Sequence, residues 1–131
     1  MITRCSAMRQ ILKRILSESK EIEVVGKMGD GIELLDFLSH LPALPDLAIL
    51  DVSMPKLQGI AVARRIKELF PTVKILILTV HKEKEYVFQA FVAGAEGYLL
   101  KEAANTELFA AIDTIRHGGI YTSPLLGSSF N

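Results

Sequence analysis

The feature that most constrains the fold is a seven-residue stretch, residues 73–79, in which all side chains but two are apolar. A strand that exposes one face to water would alternate polar and apolar residues, whereas a parallel strand covered by helices on both faces is apolar almost throughout. Apolar runs at residues 47–50 and 97–100 have the same character, and amphipathic segments with helical spacing separate them. This alternation predicts an α/β fold with a parallel sheet.

The predicted elements alternate along most of the chain. Strands are expected at residues 22–26, 47–50, 73–79 and 97–100, and helices at residues 6–19, from Asp30 to near Pro42, after Pro55 up to Pro71, at residues 83–93 and at residues 106–117. Residues 120–131 contain Pro124 and Gly127 among serines and are predicted to be a tail or the start of a linker. The predicted domain therefore covers residues 1–119.

Composition limits the classes of function. A chain of 131 residues is expected to form one domain with one core, and no apolar run approaches the roughly 18 residues that a membrane span requires. Lys plus Arg and Asp plus Glu both number 15, so the net charge is zero and gives no sequence-independent affinity for nucleic acid. The single cysteine, Cys5, cannot form an internal disulfide, and no signal peptide precedes it. A cytoplasmic protein without membrane contact is therefore expected.

Three polar residues follow the predicted strands. Asp51 ends one apolar run, Thr79 ends the next, and Lys101 directly follows the third. Because ligands of a doubly wound sheet bind beyond the carboxyl ends of its strands, these side chains are expected to lie together at a site. A carboxylate can act as a nucleophile towards phosphorus, and the resulting acyl phosphate needs a cation and a hydrogen-bond donor for its oxygens. Lys101 and Thr79 are the candidates for those two roles.

Three blocks carry a resemblance to a known family, namely residues 45–55 with Gly59, residues 73–79 and residues 94–101. In their order and spacing they resemble the receiver domain of two-component response regulators, in the LuxR/FixJ-type branch. The resemblance covers nearly the whole chain. It implies a flavodoxin-like, doubly wound parallel sheet with strand order 2-1-3-4-5.

The resemblance also implies a function. Asp51 would accept a phosphoryl group from a histidine kinase, Lys101 would pair with the phosphate, and Thr79 would move towards its oxygens. Tyr98, three residues before the lysine, would turn inward on activation and alter the face that the family builds from its fourth helix, fifth strand and fifth helix. Such a switch serves phosphorelay signal transduction, here in transcription regulation. DNA contact would come through an effector domain that this sequence does not contain.

The sequence departs from the family near its N-terminus. Receivers begin with an apolar strand and two acidic residues that help to hold Mg²⁺, whereas no carboxylate precedes Glu18 here. Asp51 and the backbone carbonyl of Ser53 would be the remaining ligands, so Mg²⁺ binding is expected to be weak and phosphorylation slow or absent. At most residues 1–5 fill the place of the first strand, which is truncated, supplied by another chain or encoded further upstream. An open slot in the sheet favours association, and a homodimer is expected.

A second departure lies in the helix predicted at residues 83–93. Phe88 and Val92 are four residues apart on one face, at positions where the family usually has polar side chains. They are candidates for an apolar interface with a partner or a second subunit, although isolated surface hydrophobes would give the same pattern. His81, two residues after Thr79, could line the site and tune dephosphorylation, but a solvated loop histidine is the preferred interpretation.

Three functions are compatible with these residues. The first is a phosphoacceptor receiver that relays a kinase signal through Tyr98. The second is a degenerate receiver that acts as a phosphorylation-independent interaction or dimerisation module, motivated by the missing acidic pair and by Phe88 and Val92. The third is an aspartate-dependent phosphatase, which the sequence disfavours because Ser53 stands where such enzymes need a second aspartate. A receiver is therefore predicted rather than an enzyme.

Overall fold

A computed structural model describes residues 31–52 and 56–123, without the side chains of residues 31–34, 51, 52 and 56–58. Helices and strands alternate along this part of the chain. In chain order they are α1 (Gly31–Ser39), β1 (Leu47–Val52), α2 (Lys56–Leu69), β2 (Lys74–Thr79), α3 (Lys84–Val92), β3 (Gly97–Leu100), α4 (Ala104–Arg116) and β4 (Tyr121–Thr122), with a 3-10 turn at Lys101–Ala103. None of the described helices is both long and apolar enough to cross a membrane.

The four described strands form one parallel sheet in the order β1-β2-β3-β4. Their registers bring the strand ends level, with Val52 opposite Thr79 and Thr79 opposite Leu100. Helices cover both faces of the sheet, as the apolar character of residues 73–79 requires. The predicted α/β fold with a parallel sheet is confirmed.

Alternating side chains of the strands supply two apolar clusters, one on each face of the sheet. The first cluster joins the strands to α1, α2 and α3 and includes Leu38, Leu50, Ile66, Ile77, Val87 and Leu100. The second joins them to α4 and includes Ile49, Leu76, Leu99, Leu108 and Ile115. A shift of one residue in a strand would move its side chains to the opposite face of the sheet. Because both faces are buried against helices, these two clusters fix the strand register and so the position of the strand ends.

The helices and strands predicted within the described residues are present. The helix predicted at residues 106–117 begins two residues earlier, at Ala104, and the helix predicted at residues 83–93 spans Lys84–Val92. The helix predicted at residues 6–19, the strand at residues 22–26 and the truncated first strand lie outside the described residues, as does the turn at residues 53–55. The order of the first two strands therefore stays a prediction.

The predicted tail begins inside the sheet rather than after it. Tyr121 and Thr122 form β4, which pairs with the first two residues of β3, and the Ser123 N–H donates to the Tyr98 carbonyl at 3.1 Å. Two residues of the predicted tail are thus strand residues, and the domain boundary predicted after residue 119 stays a prediction. An aromatic and a β-branched residue favour an extended conformation, and the edge of β3 offers main-chain groups for them to pair with. Residues 124–131 lie outside the described part of the chain.

Two glycines take left-handed conformations where helices end. Gly94 (φ 107°) follows α3 and Gly118 (φ 88°) follows α4, which confirms the predicted end of the last helix. Gly97 is required for a different reason. A Cβ there would lie 2.6 Å from Leu76 Cδ1 and 2.7 Å from Ile115 Cδ1, so the close approach of α4 to the sheet depends on the missing side chain.

Candidate functional site

The sheet aligns the ends of three strands at its carboxyl edge. Asp51 is the penultimate residue of β1, Thr79 is the last residue of β2, and Lys101 directly follows β3. The backbone of Thr79 pairs with both neighbouring strands, and adjacent strands lie about 4.8 Å apart. The structure therefore brings the three predicted residues to one edge at the level of the backbone. The Asp51 side chain is outside the described part of the chain.

Thr79 is almost completely buried, with 1% of its surface exposed. Its Oγ1 atom accepts a hydrogen bond from the backbone N–H of His81 at 3.2 Å. The hydroxyl thus fixes the first residues of the loop between β2 and α3. If the Thr79 hydroxyl turned away, the His81 N–H would lose this acceptor and the loop would lose this contact.

Tyr98 lies in the core, with 2% of its surface exposed, and its hydroxyl donates to the His81 carbonyl at 2.8 Å. Burial raises the pKa of Tyr98 to about 12; the hydrogen bond with Thr79 lowers this pKa in part, and the charge of Glu83 raises it. The hydroxyl therefore stays a neutral donor around pH 7. The ring occupies the inward position that the family resemblance associates with activation.

His81 connects Thr79 and Tyr98 through its main chain, because its N–H donates to one hydroxyl and its carbonyl accepts from the other. Its half-buried ring stands edge-on to Tyr86, with centroids 5.1 Å apart, and Nδ1 lies 3.7 Å from a Glu83 carboxylate oxygen. His81 is a loop residue, as interpreted from the sequence, but its side chain is only 25% exposed. No sequence signal indicated its connecting role, since main-chain atoms make the two connecting contacts and any residue supplies them.

Charged residues border the end of β3. Lys101 is partly buried at the start of the 3-10 turn. Lys82 and Glu102 form an exposed ion pair of 2.9 Å that joins the β2–α3 loop to the same turn. An exposed pair of this kind contributes little to stability. It does connect the two loops that flank the strand ends.

The described residues do not form a metal site. Among them, no group of three or more His, Cys, Asp or Glu side chains could hold an ion. Mg²⁺ requires hard oxygen ligands in near-octahedral geometry. Both expected ligands, the Asp51 carboxylate and the Ser53 carbonyl, lie outside the described atoms. The Mg²⁺ ligands named from the sequence therefore stay a prediction.

The helix α3 carries an exposed apolar surface. Phe88 and Val92 have 66% and 63% of their surfaces exposed. Val87 and Ala90, on the other side of the helix, are fully buried. The predicted exposure of Phe88 and Val92 is confirmed, and their use as an interface stays a prediction.

Comparisons with known proteins place the chain among regulators. A family model, the response regulator receiver domain, matches residues 5–113. The transcriptional regulatory protein DegU of Brevibacillus brevis is 35% identical over 116 residues, which cover 88% of this chain and 48% of DegU. The chain thus spans about half the length of this relative.

Two solved structures are similar over nearly the whole chain. The isolated receiver domain of RcsB from Salmonella enterica serovar Typhimurium, in the presence of phosphomimetic BeF3-, has a TM-score of 0.86 and 25% identity, covering 97% of this chain and 93% of that chain. A LuxR-family two-component response regulator from Aurantimonas sp. SI85-9A1 has a TM-score of 0.88 and 28% identity, covering 97% and 89%. RcsB has also been solved as two dimers bound to two parallel DNAs.

The chain therefore belongs to the response regulator receiver domain family, whose model matches most of its length. Its relatives are LuxR-family regulators of two-component systems. The predicted family, its branch and the flavodoxin-like fold are thus confirmed. The relatives are transcriptional regulators, and the matches indicate no enzyme family.

Proposed function

We propose that this chain is a phosphoacceptor receiver in which Asp51 accepts a phosphoryl group from a histidine kinase. The observation that carries the proposal is the alignment of Asp51, Thr79 and Lys101 at the carboxyl edge of three neighbouring parallel strands. In doubly wound sheets this edge is where ligands bind. Membership of the receiver family supports the same function.

Phosphoryl transfer requires three functions from the protein. A carboxylate oxygen of Asp51 forms a bond to phosphorus while the bond from phosphorus to the kinase histidine nitrogen breaks, and that nitrogen keeps the electron pair. The Lys101 ammonium pairs with one oxygen of the resulting acyl phosphate. The Thr79 hydroxyl donates a hydrogen bond to another oxygen.

The proposed switch follows from the contacts of Thr79. Its Oγ1 accepts from the His81 N–H, and the His81 carbonyl in turn accepts from the Tyr98 hydroxyl. A dianionic phosphoryl group on Asp51 would draw the Thr79 hydroxyl towards it, and the loop that contains His81 would follow. We expect this to favour the inward position of Tyr98 and to shift the conformations of α3, β3 and α4.

Mg²⁺, when bound, would neutralise charge on the phosphoryl oxygens. Asp51 and the Ser53 carbonyl are the ligands that this sequence offers, since no carboxylate precedes Glu18. We therefore propose weak Mg²⁺ binding and slow phosphorylation. The steps proposed above depend on Asp51, Thr79 and Lys101.

The proposed partners are a histidine kinase and a second copy of the chain. DegU, of which this chain matches about half, is a transcriptional regulatory protein, and RcsB has been solved as dimers on DNA. By analogy, we propose a role in transcription regulation, with a homodimer formed by the receiver. DNA contact is proposed for an effector region outside these residues, since the zero net charge of this chain offers no general affinity for phosphates.

The phosphoacceptor is tested by incubating the purified 131-residue chain with acetyl phosphate and Mg²⁺ and then measuring its intact mass. We expect the addition of one phosphoryl group that is stable in acid and labile in base, as an acyl phosphate is. Asp51→Asn is the matched variant, because it keeps the size of the side chain and removes the nucleophile. An addition that persists in Asp51→Asn, or no addition to a folded wild-type chain, contradicts the proposal.

The exposure of Phe88 and Val92 favours a second candidate, a degenerate receiver that binds a second copy or another protein without phosphate. The two candidates differ in how association depends on Asp51, which analytical ultracentrifugation measures. An association constant that is the same with and without acetyl phosphate, and the same in Asp51→Asn, supports the degenerate receiver. Association that requires the phosphodonor and is lost in Asp51→Asn supports the phosphoacceptor.

A further inference from the structure

The short strand β4 is held at the edge of the sheet by one carboxylate. Glu107, in the first turn of α4, accepts two hydrogen bonds at its Oε1 atom, from the Tyr121 hydroxyl at 2.6 Å and from the Ser123 hydroxyl at 3.0 Å. Ser123 is fully buried, and the other two residues are partly buried. Hydrogen bonds to a charged acceptor are stronger than those between neutral groups. Glu107 thus clamps a strand of two residues that backbone pairing alone would hold weakly.

The acid–base behaviour of Tyr121 is consistent with this clamp. Burial raises the pKa of the Tyr121 hydroxyl above its ordinary value, and both the hydrogen bond to Glu107 and the charge of Glu107 raise it further. The Tyr121 hydroxyl therefore stays protonated around pH 7 and donates to the Glu107 carboxylate. A neutral donor and a charged acceptor face each other, which is the favourable combination for a short hydrogen bond.

The strand β4 is also bonded to the main chain of Tyr98. Tyr98 pairs with Thr122 in the register of β3 and β4, and its carbonyl accepts from the Ser123 N–H at 3.1 Å. The side chain of the same residue reaches the His81 carbonyl at the carboxyl edge of the sheet. Tyr98 therefore connects the loop after Thr79 with Ser123, the residue that follows β4.

We propose that β4 is a strap that couples Tyr98 to Ser123, at the end of the described part of the chain, and that Glu107 is the positioning residue that keeps this strap closed. With the strap closed, the Tyr98 carbonyl is bonded and the backbone of Tyr98 is fixed, which favours one position of its ring. A change at Tyr98 loosens the strap. By linkage, a change that releases Ser123 alters the equilibrium of Tyr98 by the same free energy. The coupling goes beyond phosphoryl transfer and does not require it.

The coupling is tested by amide hydrogen exchange in the whole chain, followed by NMR at the Ser123 amide. Glu107→Ala removes the acceptor of both hydroxyls, and Tyr98→Phe removes only the hydroxyl that reaches His81. We expect each variant to speed exchange of the Ser123 amide roughly tenfold, as the loss of one such hydrogen bond would. In the double variant we expect the exchange rate to rise by clearly less than the product of the two factors, because both contacts stabilise the same closed position of β4.

Glu68→Ala is the matched control, since it removes an exposed glutamate from α2, where it pairs with Arg65. It should leave exchange of the Ser123 amide unchanged. The strap is contradicted if Glu107→Ala behaves like Glu68→Ala. It is equally contradicted if the factors of Glu107→Ala and Tyr98→Phe multiply in the double variant.

A further variant keeps the test informative if Glu107→Ala unfolds the chain. Tyr121→Phe removes one donor of the same contact and leaves the helix intact, so it replaces Glu107→Ala in the same comparison with Tyr98→Phe. All of these variants keep Asp51. The intact-mass assay with acetyl phosphate therefore distinguishes a loss of coupling from a loss of phosphoryl transfer.

Discussion

The two ends of the β2–β3 pair are held by different kinds of contact. At the amino end, the Glu96 carboxylate pairs with the Lys67 ammonium and accepts from the Ile75 N–H at 2.7 Å, with both charged side chains largely buried. At the carboxyl end, Thr79 and Tyr98 are joined through the main chain of one loop residue by neutral hydrogen bonds of 3.2 and 2.8 Å. Opening a buried ion pair leaves poorly solvated charges, whereas a neutral hydrogen bond exchanges at a small cost. The sheet is therefore fixed at one end and adjustable at the end that carries the proposed phosphate site.

The largest effect is expected from breaking the fixed end. Glu96→Ala leaves Lys67 without its carboxylate and the Ile75 N–H without this acceptor. We expect the free energy of unfolding, measured by urea denaturation, to fall by about 2–4 kcal/mol. Glu68→Ala, which removes the exposed partner of Arg65, should change it by less than about 0.5 kcal/mol. Equal effects of the two substitutions would show that the amino end is not a fixed point.

At the adjustable end, the contribution of Tyr98 to stability should depend on pH. Its pKa is raised from 10.0 to about 12 in the folded chain, so folding disfavours the tyrosinate. The contribution is complete below pH 10, near the pKa of the unfolded chain, and is lost as pH rises through 12. The stability difference between wild type and Tyr98→Phe should therefore be constant up to about pH 10 and fall by about 2 kcal/mol at pH 12.

Urea denaturation of both proteins over this pH range measures the difference directly. The other titrating groups are common to wild type and Tyr98→Phe, so their contributions cancel. A difference that does not change with pH would show that the Tyr98 hydroxyl is exposed to water in the folded chain.

The fixed end also depends on close packing. Gly97 begins β3, and a Cβ there would lie within 2.7 Å of side-chain atoms of Leu76 and Ile115. Gly97→Ala is expected to destabilise the chain by about 1–3 kcal/mol, the usual cost of overpacking. Adding Ile115→Val removes one of the two obstructing methyl groups and should restore part of the loss. An additive cost of the two substitutions would contradict this packing.

Much of the fold could be predicted because its signals are local. The apolar run at residues 73–79 and the helical spacing around it specify strands covered on both faces, and the structure has them. The positions of Asp51, Thr79 and Lys101 follow from the same signals, since each ends or follows an apolar run. A polar residue at a strand end can be assigned to the carboxyl edge before any contact is known.

The contacts that distinguish the two ends could not be predicted, because they join residues far apart in the sequence. Glu96 meets the Ile75 N–H across 21 positions, and Glu107 meets the hydroxyls of Tyr121 and Ser123 across 14 and 16. The residue types alone do not indicate which glutamate accepts from which N–H or hydroxyl. The strand β4 was missed for a related reason, as two residues are too few to give a periodic pattern.

The smallest effect on stability is expected on the exposed surface of α3. Phe88→Gln replaces a side chain that is 66% exposed with a good helix former, so the free energy of unfolding should change by less than about 0.5 kcal/mol. Self-association should nevertheless weaken by roughly tenfold, because an aromatic side chain in an interface contributes far more to binding than to folding. Sedimentation velocity over a range of concentrations measures the change.

Phe109→Gln is the matched control, because Phe109 is also exposed but lies on α4, against the other face of the sheet. Weaker association in Phe88→Gln alone would place the contact on α3. This helix follows the loop that contains His81, whose main chain bonds to both Thr79 and Tyr98. A change at the adjustable end could then reach the interface through one loop. Equal weakening by both substitutions would show that apolar exposure determines association and that position beside this loop does not. Unchanged association in both variants would exclude α3 as a contact between copies.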